Sequence, residues 1–334
     1  MSGKASIIIG FTPFHLLPMI EVLQAMEGDA YFFHPSADDP CIGTTEQCLA
    51  FLGKCNDPHL HRIEKYFRAG RDLDRIAKRY GEVDVYVPHP FNPLSNRAFF
   101  HPSASGRFIY QDGLLNYYDA LSPLSSRGRR LRQMAKAAAV GLLYRTYEGH
   151  LSGVDSRTVS GGFFTHPDRI VRAGSFPVLR RLDFGRGDKG GRPIPDGGTL
   201  FLDQPIEEVV DAGVARELRR QTLDYVNRLG GRVYYKPHYS QKDARCFDAA
   251  WRPVGRELGA LPAEWVAPKL DVANVVSFFT SALANVAMSN DAVTCHATAA
   301  HAVPISIDGR RTSLAELLSG FGVKTVDLLP PRHR

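Results

Sequence analysis

Between Leu182 and Gly198 the chain reads Leu-Asp-Phe-Gly-Arg-Gly-Asp-Lys-Gly-Gly-Arg-Pro-Ile-Pro-Asp-Gly-Gly. Neither a helix nor a strand runs through so much glycine and proline. On both sides of this tract, short apolar runs alternate with helical patterns. Ahead of it, residues 5–10 (Ala-Ser-Ile-Ile-Ile-Gly) read as a buried strand followed by an apolar-periodic helix to about Met26. Further strands are expected over 31–33, 83–87 and 108–110, and a charged helix over 62–80 with an apolar stripe at Ile63, Phe67, Leu73 and Ile76. Beyond the tract, strands are expected over 199–202, 232–235 and 272–278, with helices over 206–228 and 281–288. Strand alternating with helix is the pattern of a parallel sheet covered on both faces. At 334 residues the chain is also longer than one core usually organises. The expected organisation is therefore an N-terminal α/β domain over 1–182, a linker over 183–198 and a C-terminal α/β domain over 199–334.

A hydrophobic content of 44% with 23% charged residues is globular composition. The net charge of +6 fits an anionic substrate or an acidic surface. No zinc-finger spacing, RNA-binding aromatic signature or helix-turn-helix pattern stands out, so nucleic acid is not an expected partner. The five cysteines (Cys41, Cys48, Cys55, Cys246, Cys295) are odd in number and contain no Cys-x-x-Cys pair, which favours reduced thiols and a cytoplasmic location. The N-terminal apolar run is too short for a signal-peptide core and is soon broken by Pro13. Arg127, Arg129, Arg130, Arg132 and Lys136 lead into an apolar run ending near Leu143. Two readings fit this segment: a helix packed by its apolar side with solvated arginines, or a basic amphipathic helix lying on an anionic surface, here the cytoplasmic face of an inner membrane.

Three polar clusters follow apolar runs. Asp112-Gly113 ends the run Arg107-Phe-Ile-Tyr110, placing a carboxylate just past a strand's carboxyl end, where open α/β sheets bind substrates. It is a candidate general base, although an Asp-Gly turn with a solvated carboxylate fits the same residues. Lys236 and His238 follow a strand, where a cation and an imidazole can neutralise or protonate a leaving phosphate; a surface histidine on a proline turn and a solvated lysine are the plain alternatives. Thr280-Ser281 open a helix, offering hydroxyls and free N–H groups to an anion, or serving only as its cap. Glu264 is either a ribose ligand or an exposed carboxylate. Thr12, His15, Gly113 and Asn116 lie near strand ends and are candidates for an acceptor pocket, as ordinary loop residues also would be. No Asp-x-Asp pair is followed by other plausible metal ligands, so no metal or other cofactor is expected.

Taken in order, Gln111-Asp112-Gly113, His238-Tyr239 and Thr280-Ser281 resemble the acidic-acidic-Gly, His-Pro and Ser-Ser/Thr motifs of bacterial sialyltransferases of the lipooligosaccharide and polysialic acid types. Thr12-Pro13, Phe201-Leu-Asp-Gln-Pro205 and Pro262-Ala-Glu264 add to the likeness. The resemblance implies a glycosyltransferase-B architecture: two Rossmann-like domains with a cleft between them. It implies inverting, metal-independent transfer of a sialic-acid-like sugar from a CMP donor to a hydroxyl of a surface glycan such as capsule or lipopolysaccharide. By the same resemblance Asp112 deprotonates the acceptor, His238 serves the departing phosphate, Thr280 and Ser281 hold that phosphate, and Glu264 binds the nucleotide; Lys236, beside His238, is a donor-binding candidate from its position alone. Gln111, Tyr239 and Thr280 depart from the motifs and mark a divergent member, so the resemblance does not fix the sugar as sialic acid and leaves another nonulosonic acid or Kdo open. A UDP- or GDP-sugar transferase and an inactive glycan- or nucleotide-binding protein are the other readings.

Overall fold

The computed structural model describes residues 4–24, 26, 28–34, 41–42, 62–156, 158–183, 197–238, 246–259 and 261–328. Contacts divide the chain into two units, Met1–Phe184 and Gly185–Arg334. Most of the glycine-rich tract lies outside the described residues, as do Cys48, Cys55 and Tyr239.

The first unit holds the strands β1 (Ala5–Ile9), β2 (Asp29–Phe33), β3 (Cys41–Ile42), β4 (Val83–Val87), β5 (Ala104–Tyr110), β6 (Gly161–Phe164) and β7 (Leu179–Arg181). Its helices are α1 (Leu16–Gln24), α2 (Arg62–Tyr80), α3 (Pro93–Phe99) and α4 (Arg127–Ala139). The strand order is β3-β2-β1-β4-β5-β6-β7, parallel throughout except for the β2–β3 pair. Central strands of a parallel sheet are covered on both faces, which is why β1 is a continuous run of buried residues with no alternation. The order reverses between β1 and β4: β1 is followed on one side by β2, and β4 on the other by β5. Loops leaving the carboxyl ends of β1 and β4 therefore diverge and open a crevice there.

The second unit repeats the plan. Its strands are β8 (Gly198–Leu202), β9 (Val233–Lys236), β10 (Arg252–Pro253), β11 (Val272–Ser277), β12 (Thr294–Ala297), β13 (Pro304–Ile307), β14 (Arg310–Ser313) and β15 (Lys324–Thr325). Its helices are α5 (Ala212–Leu229), α6 (Arg256–Gly259), α7 (Ala263–Val266), α8 (Ser281–Ser289) and α9 (Leu314–Gly320). The sheet runs β10-β9-β8-β11-β12-β15, every pair parallel, with its reversal between β8 and β11. β13 and β14 form a separate antiparallel pair. An aromatic core built on Phe201, whose ring lies 5.3 Å from Trp251 and 5.7 Å from Phe278, packs against Leu218 and Val226 of α5. Both units are thus Rossmann-like α/β domains.

The helix expected over 206–228 is interrupted. Ile206–Glu208 form a 3-10 turn, and α5 starts only after Asp211. The turn carries Ile206 into the core.

Candidate active site

Loops leaving β1, β4 and β5 bring four side chains to the reversal point of the first sheet. His15, at the end of a 3-10 turn just before α1, places Nε2 2.8 Å from Asp112 Oδ1. His89, just past β4, places Nε2 3.4 Å from the other carboxylate oxygen, Oδ2. The tautomers follow from the other face of each ring. His15 Nδ1 accepts the backbone N–H groups of Phe11 (2.9 Å) and Thr12 (3.3 Å), and His89 Nδ1 accepts that of Phe91 (3.1 Å). A proton on either Nδ1 would oppose those donors, so each neutral ring carries its hydrogen on Nε2; that of His15 is hydrogen-bonded to Asp112, and His89 faces the carboxylate without a hydrogen bond. Phe11 lies against both imidazoles, at 5.9 Å from His15 and 5.8 Å from His89. Beside them, the His34 imidazole is lowered to about 4 by burial and by His15.

The consequence falls on the carboxylate. Burial alone would raise the Asp112 carboxyl, but the attraction and hydrogen bond of His15, joined by the attraction of His89, hold it at about 2. His89 is itself lowered, chiefly by burial, against the pull of Asp112. His15 is 1% exposed and both its ring nitrogens are engaged, whereas Asp112 is 26% exposed. Of the pair, Asp112 is the group that reaches solvent, and His15 is its support. His15 was expected to line an acceptor pocket; the structure buries it under the carboxylate instead. Asn116 is buried as well, at 2% exposure, with its backbone carbonyl accepting from Val171. Thr12 stays partly exposed, and its backbone serves the two histidines: its N–H meets His15 and its carbonyl meets His34. Gly10 makes the arrangement possible, because a Cβ there would lie 3.1 Å from His15 Cβ and 2.7 Å from Met19 Sδ.

Gln111 occupies the position of the first acidic residue in the motif and has a structural task. It is buried, and its Oε1 accepts from Tyr117 Oη (2.9 Å), Thr165 N (2.8 Å) and Thr165 Oγ1 (2.8 Å), tying the end of β5 to the end of β6. Gly113 follows at φ 54°, in the left-handed region that turns the chain away directly after Asp112. Replacing Gln111 with Ala leaves buried donors without an acceptor and is expected to destabilise the fold by about 1–3 kcal/mol, measured by urea unfolding.

The second sheet gathers the remaining candidates at its carboxyl edge. Lys236, the last residue of β9, is buried and donates from Nζ to the Gly259 carbonyl at 2.6 Å. Burial lowers its ammonium to about 8, against the pull of Glu264. Glu264 is buried too, and its Oε1 accepts from Asn285 Nδ2 of α8 at 2.8 Å. Burial raises its carboxyl. The solvated-lysine and exposed-glutamate readings are both overturned: each charge is desolvated and each has a fixed partner. His238 lies two residues past β9, partly exposed, with its imidazole lowered first by burial. Thr280 caps α8 by accepting from Ala282 N at 3.3 Å, with Ser281 as the first helical residue. The approach to this cap is fixed from β8, since Gln204 Oε1 accepts from Phe279 N (3.0 Å) and Ser277 Oγ (3.2 Å). Among the described residues no group of three or more His, Cys, Asp or Glu is placed to hold a metal ion.

Likeness to solved structures fits the topology. The UDP-GlcNAc 2-epimerase of Neisseria meningitidis, solved bound to UDP-GlcNAc, superposes with a TM-score of 0.50 at 10% identity over 96% of this chain and 87% of that one. The α/β-galactoside α-2,3-sialyltransferase of Photobacterium phosphoreum matches with a TM-score of 0.47 at 10% identity, covering 88% of this chain and 91% of that one. The fold is glycosyltransferase-B. No protein-family model matches the chain, and no curated protein sequence does.

Proposed function

We propose that the protein is an inverting glycosyltransferase that moves a nonulosonic-acid-type sugar from its CMP donor to a hydroxyl of a surface glycan. The observation carrying this reading is the Asp112 carboxylate: ionised, a quarter exposed, hydrogen-bonded by His15 and faced by His89 at 3.4 Å, at the reversal point of a glycosyltransferase-B domain. Asp112 takes the acceptor's hydroxyl proton while that oxygen attacks the anomeric carbon, and the bond from that carbon to the phosphate oxygen breaks to release CMP. The donor side falls to the second unit. Lys236, His238 and the Thr280-Ser281 hydroxyls serve the phosphate, and Glu264 serves the nucleoside. The order of the three motifs supports a cytidine donor. A UDP-sugar is the second candidate, since the meningococcal neighbour is bound to UDP-GlcNAc.

Thermal unfolding with CMP, UDP, GDP and ADP at matched concentrations separates these donors. A nucleotide at about 100 times its dissociation constant stabilises the folded state by about 2.7 kcal/mol. CMP alone is expected to raise Tm, and Glu264→Ala is expected to reduce that rise. A response to UDP or GDP but not CMP would overturn the cytidine assignment.

A further inference from the structure

The helix α4 is turned the wrong way round for a helix that serves the core. Of its 13 residues only Gln133 and Ala137 are buried, and Gln133 donates to the Phe91 carbonyl at 2.7 Å. An amphipathic helix of a globular domain normally buries its apolar arc. Here residues 131, 134, 135 and 138, which share one arc at helical spacing, are all exposed, with Leu131 at 58% and Met134 at 44%. Leu143, just beyond the helix, is 76% exposed. Phe67 of α2 extends the surface. It is 47% exposed and packs on the turn that ends α4, where a Cβ at Gly141 would come within 2.5 Å of its ring.

The charges on α4 itself have one sign, and Glu64, three residues before Phe67 on α2, is paired with Arg68. Arg127, Arg129, Arg132 and Lys136 are exposed, and α4 contains no acidic residue. Arg71 lies over the Phe67 ring at 6.0 Å. Glu148, the acid bonded to this helix, is paired with Arg130 at 3.2 Å. An apolar arc flanked by cations that have no acidic partner among the described residues complements an anionic lipid surface, with headgroup phosphates meeting the cations and acyl chains meeting Leu131 and Met134. We propose that α4, together with Leu143 and Phe67, docks the first unit on an anionic phospholipid bilayer. Such a surface would hold the enzyme where membrane-bound glycans are built, but its test does not depend on the sugar-transfer reading. None of these residues belongs to the Asp112 or Lys236 clusters. No described helix is long and apolar enough to cross a membrane, so the contact is with the bilayer surface.

The experiment is sedimentation of the full-length protein with vesicles of phosphatidylcholine alone or with added phosphatidylglycerol. The protein is expected to pellet with the anionic vesicles only, and to release as ionic strength rises past ~0.15 M. A basic residue near such a surface changes affinity by roughly fivefold (about 1 kcal/mol), so Arg129→Ala with Arg132→Ala should weaken partitioning roughly 25-fold. Leu131→Ser with Met134→Ser should weaken it at unchanged charge. All four positions are exposed, so Tm without vesicles should match that of the parent protein, which separates lost docking from lost folding. Equal pelleting with neutral vesicles, no pelleting at all, or full binding by both variants would overturn the proposal. So would light scattering that shows a dimer broken by Leu131→Ser, because a second copy of the chain would then be the occupant.

Discussion

Replacing Asp112 with Asn is expected to lower kcat/KM for sugar transfer by roughly 10²–10⁴-fold while leaving the CMP-induced rise in Tm intact. The side chain keeps its shape, and its amide oxygen still accepts from His15, but it no longer takes a proton. The amide also removes the charge that attracts His89, so a modest stability loss is expected alongside. The pH dependence follows from the depressed carboxyl. Because the folded value is about 2, the carboxylate contributes about 2 kcal/mol of stability at neutral pH, present above the unfolded value near 4 and lost as pH falls through about 2. Asp112 therefore sets no acid limb on kcat/KM in the physiological range. His15→Ala removes the hydrogen-bond donor, so burial regains control of the carboxyl and an acid limb should move upward in pH. A variant that only loosened the loop would lower the plateau without moving the limb. Asp112→Asn with unchanged turnover would remove Asp112 from the chemistry.

Much of the frame was legible in the sequence, because central parallel strands are continuous apolar runs and long helices are periodic. The spans of α2 and β4 came out as read, and Thr280 does cap α8. Elements that carry little of their own signal were missed. β6 is Gly-Gly-Phe-Phe and β7 is Leu-Arg-Arg, strands defined by their neighbours in the sheet and not by any pattern of their own. α3 hides in a proline-rich stretch, although Asn92 capping Leu94 N with Pro93 at the first turn was a readable start. The site divides in the same way. Asp112 could be flagged because strand and carboxylate are contiguous. His89 could not, because only the parallel pairing of β4 with β5 brings it to Asp112; its one signal was an apolar strand ending at Pro88-His89. The burial of Lys236 and Glu264 was equally out of reach, since their partners Gly259 and Asn285 lie on other elements. The exposed apolar arc of α4 shows the opposite limit. Its periodicity was visible, but the face turned inward is the one that carries Gln133, bonded to the Phe91 carbonyl, and Ala137.

Asp203→Ala should produce the largest loss of stability, about 3 kcal/mol, by removing the buried carboxylate of a half-buried ion pair and leaving the Tyr235 hydroxyl without its acceptor. Asp203 is 4% exposed at the end of β8. One carboxylate oxygen accepts from Arg219 Nη1 (3.2 Å) and Gln204 N (2.7 Å), and the other accepts from Tyr235 Oη (2.7 Å). With the carboxylate gone, the Arg219 guanidinium, packed over the Phe247 ring at 4.8 Å, keeps Glu207 but loses its buried partner, and the Tyr235 hydroxyl is left in the core. Asn at this position should cost less, since its oxygen retains an acceptor, and Tyr235→Phe should cost about 1 kcal/mol. The Phe201-Leu-Asp-Gln-Pro205 segment thus acts through structure: Asp203 sets the backbone of Gln204, and Gln204 fixes Phe279 just ahead of the α8 cap. Stabilisation by CMP should accordingly shrink in Asp203→Ala even at temperatures where the variant is fully folded. Urea unfolding of the single and double variants with Tyr235→Phe measures the coupling. A loss under about 1 kcal/mol, the value of one ordinary hydrogen bond, would show that the network is not the anchor of this edge of the sheet.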